Sequence, residues 1–336
     1  MRLADFDYEL PQARIAQTPI APRDAARLLV DRGADLPEHR RVSDLPEILR
    51  PGDLLVVNET KVIPARLALR RATGGRAEVL MLEPLDGTRT VWEALVRPGK
   101  KLNPGEVLQA PDGTPLVEIG DRTPAGDTFT VTLLGTVDSL GLLDEYGEMP
   151  LPPYITKRLA DPDRYQTIYA REPGSAAAPT AGLHFTPELL TRLEDAGVGT
   201  AKVELVVGLD TFRPITADNP LDHRMHTERY SVPAATLERC RAAERVVAVG
   251  TTTVRSLESA AATGDLEGRT DIFIHGDFDW QVVDVMMTNF HMPRTTLLMM
   301  IDAFVGRRWR DLYAAALHEE YRFLSFGDAM LLDRHA

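Results

Sequence analysis

Short apolar-rich runs at 66–71, 77–82, 91–96, 116–119 and 129–134 fill the stretch from about residue 63 to 150. Turn signals separate them: Gly74-Gly75, Asp86-Gly87, Pro98-Gly99, Pro104-Gly105 and Asp112-Gly113. Evenly spaced short strands of this kind predict a small barrel or sandwich, and no helix is needed to complete it. On either side the pattern changes. Before this stretch, the continuous apolar run Asp53-Leu54-Leu55-Val56-Val57-Asn58 reads as a buried strand, and 26–30 as another. Short helices are predicted at 12–16 and 45–49, the second capped by Ser43 and ended by Pro51-Gly52. After it, strands at 201–207, 246–250, 272–274 and 282–288 alternate with helices at 187–196, 234–243, 253–262, 297–304 and 309–321. That alternation predicts an α/β domain. The expected architecture is an α/β main domain, discontinuous at 1–62 and 151–336, with an inserted all-β barrel-like domain at 63–150.

Composition narrows the class. With 336 residues, two domains are the default, and 44% hydrophobic with 26% charged residues is ordinary for a globular chain. The single cysteine, Cys240, excludes a disulfide framework and a thiolate-held cluster within one chain. The N-terminus carries no apolar stretch of signal-peptide length, and the longest apolar segment, 297–301, is too short to span a bilayer. A cytoplasmic protein with no membrane partner is expected. The net charge of −12 argues against a generic nucleic-acid binder. Cations nevertheless cluster at Arg66, Arg70 and Arg71, at Lys100 and Lys101, and at 307–310. Local patches of that kind can hold a phosphate backbone on an acidic protein, because screening confines the interaction to about 8–10 Å.

Three segments carry candidate chemistry. In Ala178-Pro179-Thr180-Ala181-Gly182-Leu183-His184-Phe185-Thr186-Pro187, small residues surround a glycine and a histidine follows. Thr186 can cap the next helix, Pro187 suits its first position and Gly197 its stop. Such a loop lets backbone N–H groups approach a ligand closely, with the His184 imidazole beside them. The plainer alternative is a tight turn with His184 packed. Val249-Gly250-Thr251-Thr252-Thr253-Val254-Arg255 follows a strand and opens a helix, whose N-terminus with its hydroxyls suits a carboxylate or phosphate. Thr288-Asn289-Phe290-His291-Met292-Pro293-Arg294 also leaves a strand, placing Asn289, His291 and Arg294 where open α/β sheets bind ligands. His223 and His226 are three apart and could hold a metal, but Pro220 and Pro233 argue for a loop and strand, and no metal is expected. Tyr154, Tyr165 and Gln166 lie in extended context where an aromatic face can stack on a base, or simply pack. Tyr321, Phe323 and Phe326 read as core.

Together these segments resemble one family nearly end to end, the S-adenosylmethionine:tRNA ribosyltransferase-isomerases of queuosine biosynthesis. The resemblance rests on Asp7-Tyr8-Glu9-Leu10-Pro11, the 52–58 strand, Val62-Ile63-Pro64-Ala65-Arg66-Leu67, Met149-Pro150-Leu151-Pro152-Pro153-Tyr154-Ile155 and the three segments above. Tyr321-Arg322-Phe323-Leu324-Ser325-Phe326-Gly327-Asp328-Ala329-Met330 completes it. The resemblance implies an α/β domain interrupted by a β-barrel-like one. It implies S-adenosylmethionine as ribosyl donor, without a metal, and a tRNA carrying 7-aminomethyl-7-deazaguanine at the wobble position as acceptor. The products would be epoxyqueuosine-tRNA, adenine and methionine.

On this reading His184 and His291 are the candidate bases, because imidazole titrates near neutrality, with His184 preferred for its glycine-flanked access. Thr180, Gly182, Thr251, Thr252, Arg255, Asn289 and Arg294 would hold the donor, with Thr251, Thr252 and Arg255 on its carboxylate or ribose hydroxyls. Tyr154, Tyr165 and Gln166 would hold a base, and Arg66, Arg70, Arg71, Lys100 and Lys101 the tRNA. A monomer is expected. The chain departs from the family at Leu205-Val206-Val207-Gly208-Leu209-Asp210-Thr211-Phe212, where relatives carry a histidine at the place of Val206. It departs again at His275-Gly276-Asp277 and at Asn58-Glu59-Thr60. Two alternatives therefore stand: a paralogue acting on another acceptor, and a non-catalytic tRNA- or nucleotide-binding protein. A histidine-centred metallohydrolase is favoured only by His223 and His226.

Overall fold

The computed structural model describes residues 1–336 apart from 125, 136, 137, 209–214, 216–218, 224 and 226. The chain forms two compact units: Met1–Thr60 with Pro152–Arg171 and Pro179–Ala336, and Lys61–Leu151 with Glu172–Ala178. The segment 172–178 thus clusters with the smaller unit, although it lies beyond the 63–150 stretch whose pattern is all strand.

The larger unit is built on a nine-stranded mixed sheet. Its centre is four parallel strands in the order Gly199–Leu205, Asp53–Asn58, Arg245–Val249 and Val285–Asn289. Every residue of Asp53–Asn58 and of Val285–Asn289 is buried, as continuous apolar runs require of strands covered on both faces. Ala329–Asp333 runs antiparallel to Val285–Asn289, with Asn289 opposite Ala329. Arg27–Val30 and Glu38–Arg41 extend that edge, and Glu228–Ser231 and Glu267–Thr270 extend the other. Helices Pro187–Asp195, Ala234–Ala242, Thr251–Thr263, Thr296–Val305 and Trp309–His318 sit close to their expected places. The Thr186 hydroxyl accepts the Leu189 N–H at 3.1 Å, so the expected cap forms. Tyr321, Phe323 and Phe326 are buried, as expected of core.

In the smaller unit six antiparallel strands close into a barrel. Arg66–Arg71, Arg76–Pro84, Val91–Arg97, Phe129–Leu133, Pro115–Arg122 and Val107–Gln109 pair in turn, and the last pairs back to the first. Inward residues such as Leu67, Val79, Trp92, Ala94, Ile119 and Val131 fill the interior. The fold class expected from the sequence is therefore found. Several details differ, among them the unanticipated strands Glu38–Arg41 and Val107–Gln109. A helix, Ser139–Tyr146, follows the barrel strands, where none was expected; Asp138 caps it by accepting from Leu140 and Gly141. Strand 272–274 is absent, its place as an edge strand being taken by Glu267–Thr270, and the strand Ala329–Asp333 was not anticipated. Among the described residues, no helix is long and apolar enough to cross a membrane.

Candidate active site

Two of the parallel strands deliver polar loops at their C-terminal ends, ahead of helices whose first-turn N–H groups have no intrahelical partner. Arg245–Val249 runs into Gly250, whose φ of +87° suits glycine, and then into helix Thr251–Thr263. Val285–Asn289 leads through His291 to the Thr295-capped helix Thr296–Val305. The third segment, a 3₁₀ turn at Thr180–His184, joins both. A Cβ added at Gly250 would lie 3.5 Å from the Ala181 methyl, and the Thr180 hydroxyl donates to Asn289 Oδ1 at 3.0 Å. The structure therefore brings together the three segments singled out in the sequence.

Asn289 is the hub. Its Nδ2 lies 3.2 Å from the Leu324 carbonyl, 3.4 Å from the Asp328 carbonyl and 3.3 Å from His184 Nε2. Two carbonyls can only accept, so the amide nitrogen must face this side, and His184 Nε2 must be the acceptor that leaves the proton on Nδ1. His184 is buried, and burial pushes its pKa down from 6.5 to about 4. A backbone hydrogen bond at Arg23 opposes the shift, while the Arg322 and Arg23 guanidinium charges add to it. His291 is buried as well, and desolvation takes it to about 3. Its Nε2 meets the Thr288 hydroxyl at 3.0 Å. Its backbone is clamped by two tyrosines: its N–H donates to Tyr313 at 2.9 Å and its carbonyl accepts from Tyr8. Both imidazoles are neutral at neutral pH, the state a proton acceptor needs.

The remaining candidates fall into different settings. Thr252 Oγ1 is buried and has no partner among the described residues. Arg255 is engaged within the protein: its guanidinium pairs with buried Glu228, whose other carboxylate oxygen accepts the Gly208 N–H at 2.8 Å. Arg294 is exposed, and its backbone, at φ +60°, donates to the Phe6 carbonyl. Tyr165 is completely buried edge-on against Phe326, centroids 5.9 Å apart, so no face of it is open for stacking. The Tyr154 hydroxyl meets Ser325 Oγ at 2.7 Å. Gln166 presents its carbonyl to Arg23. Gly182 faces the Tyr169 hydroxyl, which lies where a Cβ would have to be.

In the barrel, Arg71 is held by Glu106 in a two-bond fork at 2.6 and 2.9 Å, and Arg66 lies 3.5 Å from Glu78. Arg70, Lys100 and Lys101 are exposed and have no carboxylate partner among the described residues. His226 and Asp210 lie outside the described residues, while His223 packs edge-on near Phe273.

The sequence reading did not single out Arg23 and Arg164. Both line a small cavity that His184 and Ser325 share with Pro19, Ile20, Leu183 and Phe326. No local pattern marks them, because 23, 164 and 184 converge only through the fold.

The fold and these loops define an open α/β sheet protein with a histidine-bearing polar site at its strand ends. Comparison with known proteins is specific. The chain belongs to the queuosine biosynthesis protein family, whose profile matches residues 3–332. It is 51% identical over 343 residues to the S-adenosylmethionine:tRNA ribosyltransferase-isomerase of Moorella thermoacetica, covering 99% of this chain and 100% of that protein. It is 50% identical over 337 residues to the protein of the same name from Rubrobacter xylanophilus, covering 99% and 98%. A solved structure of an S-adenosylmethionine tRNA ribosyltransferase from Thermotoga maritima is 38% identical, with a TM-score of 0.55, over 97% of this chain and 99% of that one.

Proposed function

We propose that this chain is an S-adenosylmethionine:tRNA ribosyltransferase-isomerase. The donor is S-adenosylmethionine and the acceptor is 7-aminomethyl-7-deazaguanine at the wobble position of a tRNA. The products are epoxyqueuosine-tRNA, adenine and methionine. The observation that carries the reading is the near-complete match to relatives of that name at about half identity, over a chain whose 180–184 turn bonds Asn289 and packs beside Gly250.

The chemistry suits the groups present. A sulfonium acidifies the hydrogens on the adjacent ribose 5′ carbon, so a neutral side-chain base can form an ylide there. Three events complete the transfer: ribose opening with loss of adenine, capture by the aminomethyl nitrogen of the deazaguanine, and epoxide closure with methionine as the leaving group. His184 is the preferred base because it is neutral; to take a proton, its Nε2 exchanges the 3.3 Å contact with the Asn289 amide for the substrate C–H. His291 is the second candidate. The site asks for no metal ligand. Thr180, Gly182, Thr251 and Thr252 are the residues we assign to holding the donor, and the exposed Arg70, Lys100 and Lys101 of the inserted 63–150 domain suit tRNA phosphates. We expect a cytoplasmic monomer.

The test is incubation with S-adenosylmethionine and tRNA bearing the deazaguanine base. Release of adenine together with formation of epoxyqueuosine-tRNA supports the reading. Binding of both substrates without turnover sinks it in favour of a non-catalytic binder, and turnover only with a different acceptor points to a paralogue.

A further inference from the structure

The motif Asp7-Tyr8-Glu9-Leu10-Pro11 lies far in sequence from the site loops, yet its tyrosine ends on one of them. The Tyr8 hydroxyl donates to the His291 carbonyl, 283 positions along the chain. On the other side of the same residue, the His291 N–H donates to the Tyr313 hydroxyl at 2.9 Å. The ring is held too, its Nε2 lying 3.0 Å from the Thr288 hydroxyl. The flanking residues leave little slack. The Phe290 carbonyl accepts the Leu324 N–H at 3.2 Å, and the buried Phe290 ring packs on Tyr313 and Phe323, with centroids 5.4 and 4.7 Å away. The Arg294 N–H donates to the Phe6 carbonyl at 2.8 Å, and the Arg310 guanidinium donates to the Asp5 carbonyl.

Peptide planes are rigid, so hydrogen bonds to the planes on both sides of His291 fix its φ and ψ and with them the direction of its Cα–Cβ bond. The Thr288 contact then fixes the ring about that bond. Groups at 6–8, 288, 313 and 324 thus converge on the pose of one imidazole. The Tyr8 ring is itself placed by packing, with centroids 5.0 Å from Tyr313, 6.2 Å from Phe323 and 6.5 Å from Trp309. Burial pushes its phenol pKa up, so the hydroxyl remains a neutral donor. The ring holds the N-terminal segment against the helix that follows; the hydroxyl is the part that reaches His291. Proton transfer demands such support, because displacing a reacting group by about 1 Å can cost about 100-fold in rate.

We propose that Tyr8 is a positioning residue for the reaction, holding His291 through its backbone so that the imidazole meets the bound substrates in a single pose. This rests on the reading of His291 as a group that acts on those substrates. Tyr8 works through His291 and not on the substrate itself. Tyr313 is the other half of the clamp, acting on the opposite side of the same residue. The N-terminal segment thereby completes the loop between strand Val285–Asn289 and helix Thr296–Val305.

The experiment is a double-variant cycle on adenine release by the full-length protein, with S-adenosylmethionine and tRNA bearing the deazaguanine base. Tyr8→Phe, His291→Gln and the pair are compared at a temperature where circular dichroism shows all of them folded. Tyr8→Phe keeps the ring packing and loses only the hydroxyl. Its kcat should fall about 10- to 100-fold, with KM for each substrate within about 2-fold of wild type. In the His291→Gln background the same change should move kcat by less than about 2-fold, since no imidazole remains to be posed. Tyr313→Phe, which removes the other half of the clamp, should behave as Tyr8→Phe does. A folded Tyr8→Phe with wild-type kcat overturns the inference, and so does a change in KM alone. A full-sized loss in the His291→Gln background also overturns it, because the effect would then be independent of the imidazole. Wild-type turnover by His291→Gln removes the inference but leaves the proposed function standing. A wild type that releases no adenine refutes the proposed function, and the positioning role with it.

Discussion

Replacing Gly182 by alanine tests why a glycine stands in the turn that carries His184. A Cβ built there would be 2.1 Å from the Tyr169 hydroxyl oxygen, 2.9 Å from Thr167 Cγ2 and 3.1 Å from Tyr169 Cζ. Contact at 2.1 Å between heavy atoms cannot persist, so either the ring or the turn must move. Overpacking of this kind costs about 1–3 kcal/mol. The backbone offers little opposing relief, since Gly182 has no left-handed φ and alanine lowers the entropy of the unfolded chain by only about 0.4–1 kcal/mol. Tyr169→Phe removes the nearest clashing atom. That hydroxyl is buried without a partner among the described residues, so its loss alone should be neutral or stabilising by up to about 1 kcal/mol. The double variant still has the 2.9 and 3.1 Å contacts and should recover only part of the cost, a coupling of about 1 kcal/mol. Urea unfolding of the four proteins, followed by tryptophan fluorescence, gives the cycle. Additivity to within about 0.5 kcal/mol would refute the steric account, leaving the glycine to be explained by ligand approach.

Three further outcomes are expected. His184→Ala should lower turnover by about 10²–10⁴-fold with the fold retained by circular dichroism, and an unchanged rate in a folded variant would remove His184 as the base. Above about pH 6.5 both buried histidines are neutral whether folded or unfolded; below it, the unfolded chain binds protons that the folded one refuses. Stability should therefore decline as pH falls from 6.5 to about 4 for His184 and to about 3 for His291. The wild-type minus His291→Gln difference should slope by up to about 1.4 kcal/mol per pH unit in that window, and a flat difference would contradict it. Reversing Arg70, Lys100 and Lys101 to glutamate should weaken tRNA binding and reduce the salt slope by about 0.7–0.9 per lost phosphate contact, whereas unchanged affinity and slope would place the tRNA elsewhere.

How much of the site was legible depended on whether its signals were local. Thr186 and Pro187 announce a helix start because capping involves neighbours in sequence, and the cap forms as expected. Gly250 and the following threonines likewise mark a strand-to-helix loop by composition alone. Arg255 shows the opposite case: its motif suggested a ligand contact, but Glu228, on another strand, takes its guanidinium in the structure. Tyr165 looked like a stacking platform in extended context, yet Phe326, distant in sequence, covers it. The helix Ser139–Tyr146 was missed because three leucines, a glycine and a tyrosine within eight residues carry little helical periodicity.

The sequence by itself determined the α/β domain interrupted by a β-rich segment, the strand-to-loop junctions and, through its long motifs, the family. Those depend on hydrophobic pattern, turn residues and caps, which act over a few positions. Only the tertiary structure decided which charged side chains face one another. It closed the barrel by pairing Arg66–Arg71 with Val107–Gln109, buried both histidines, and brought Arg23 and Arg164 beside His184. Burial and pairing of charge are properties of the packed interior, where the cost of desolvation is set by groups far apart in the chain.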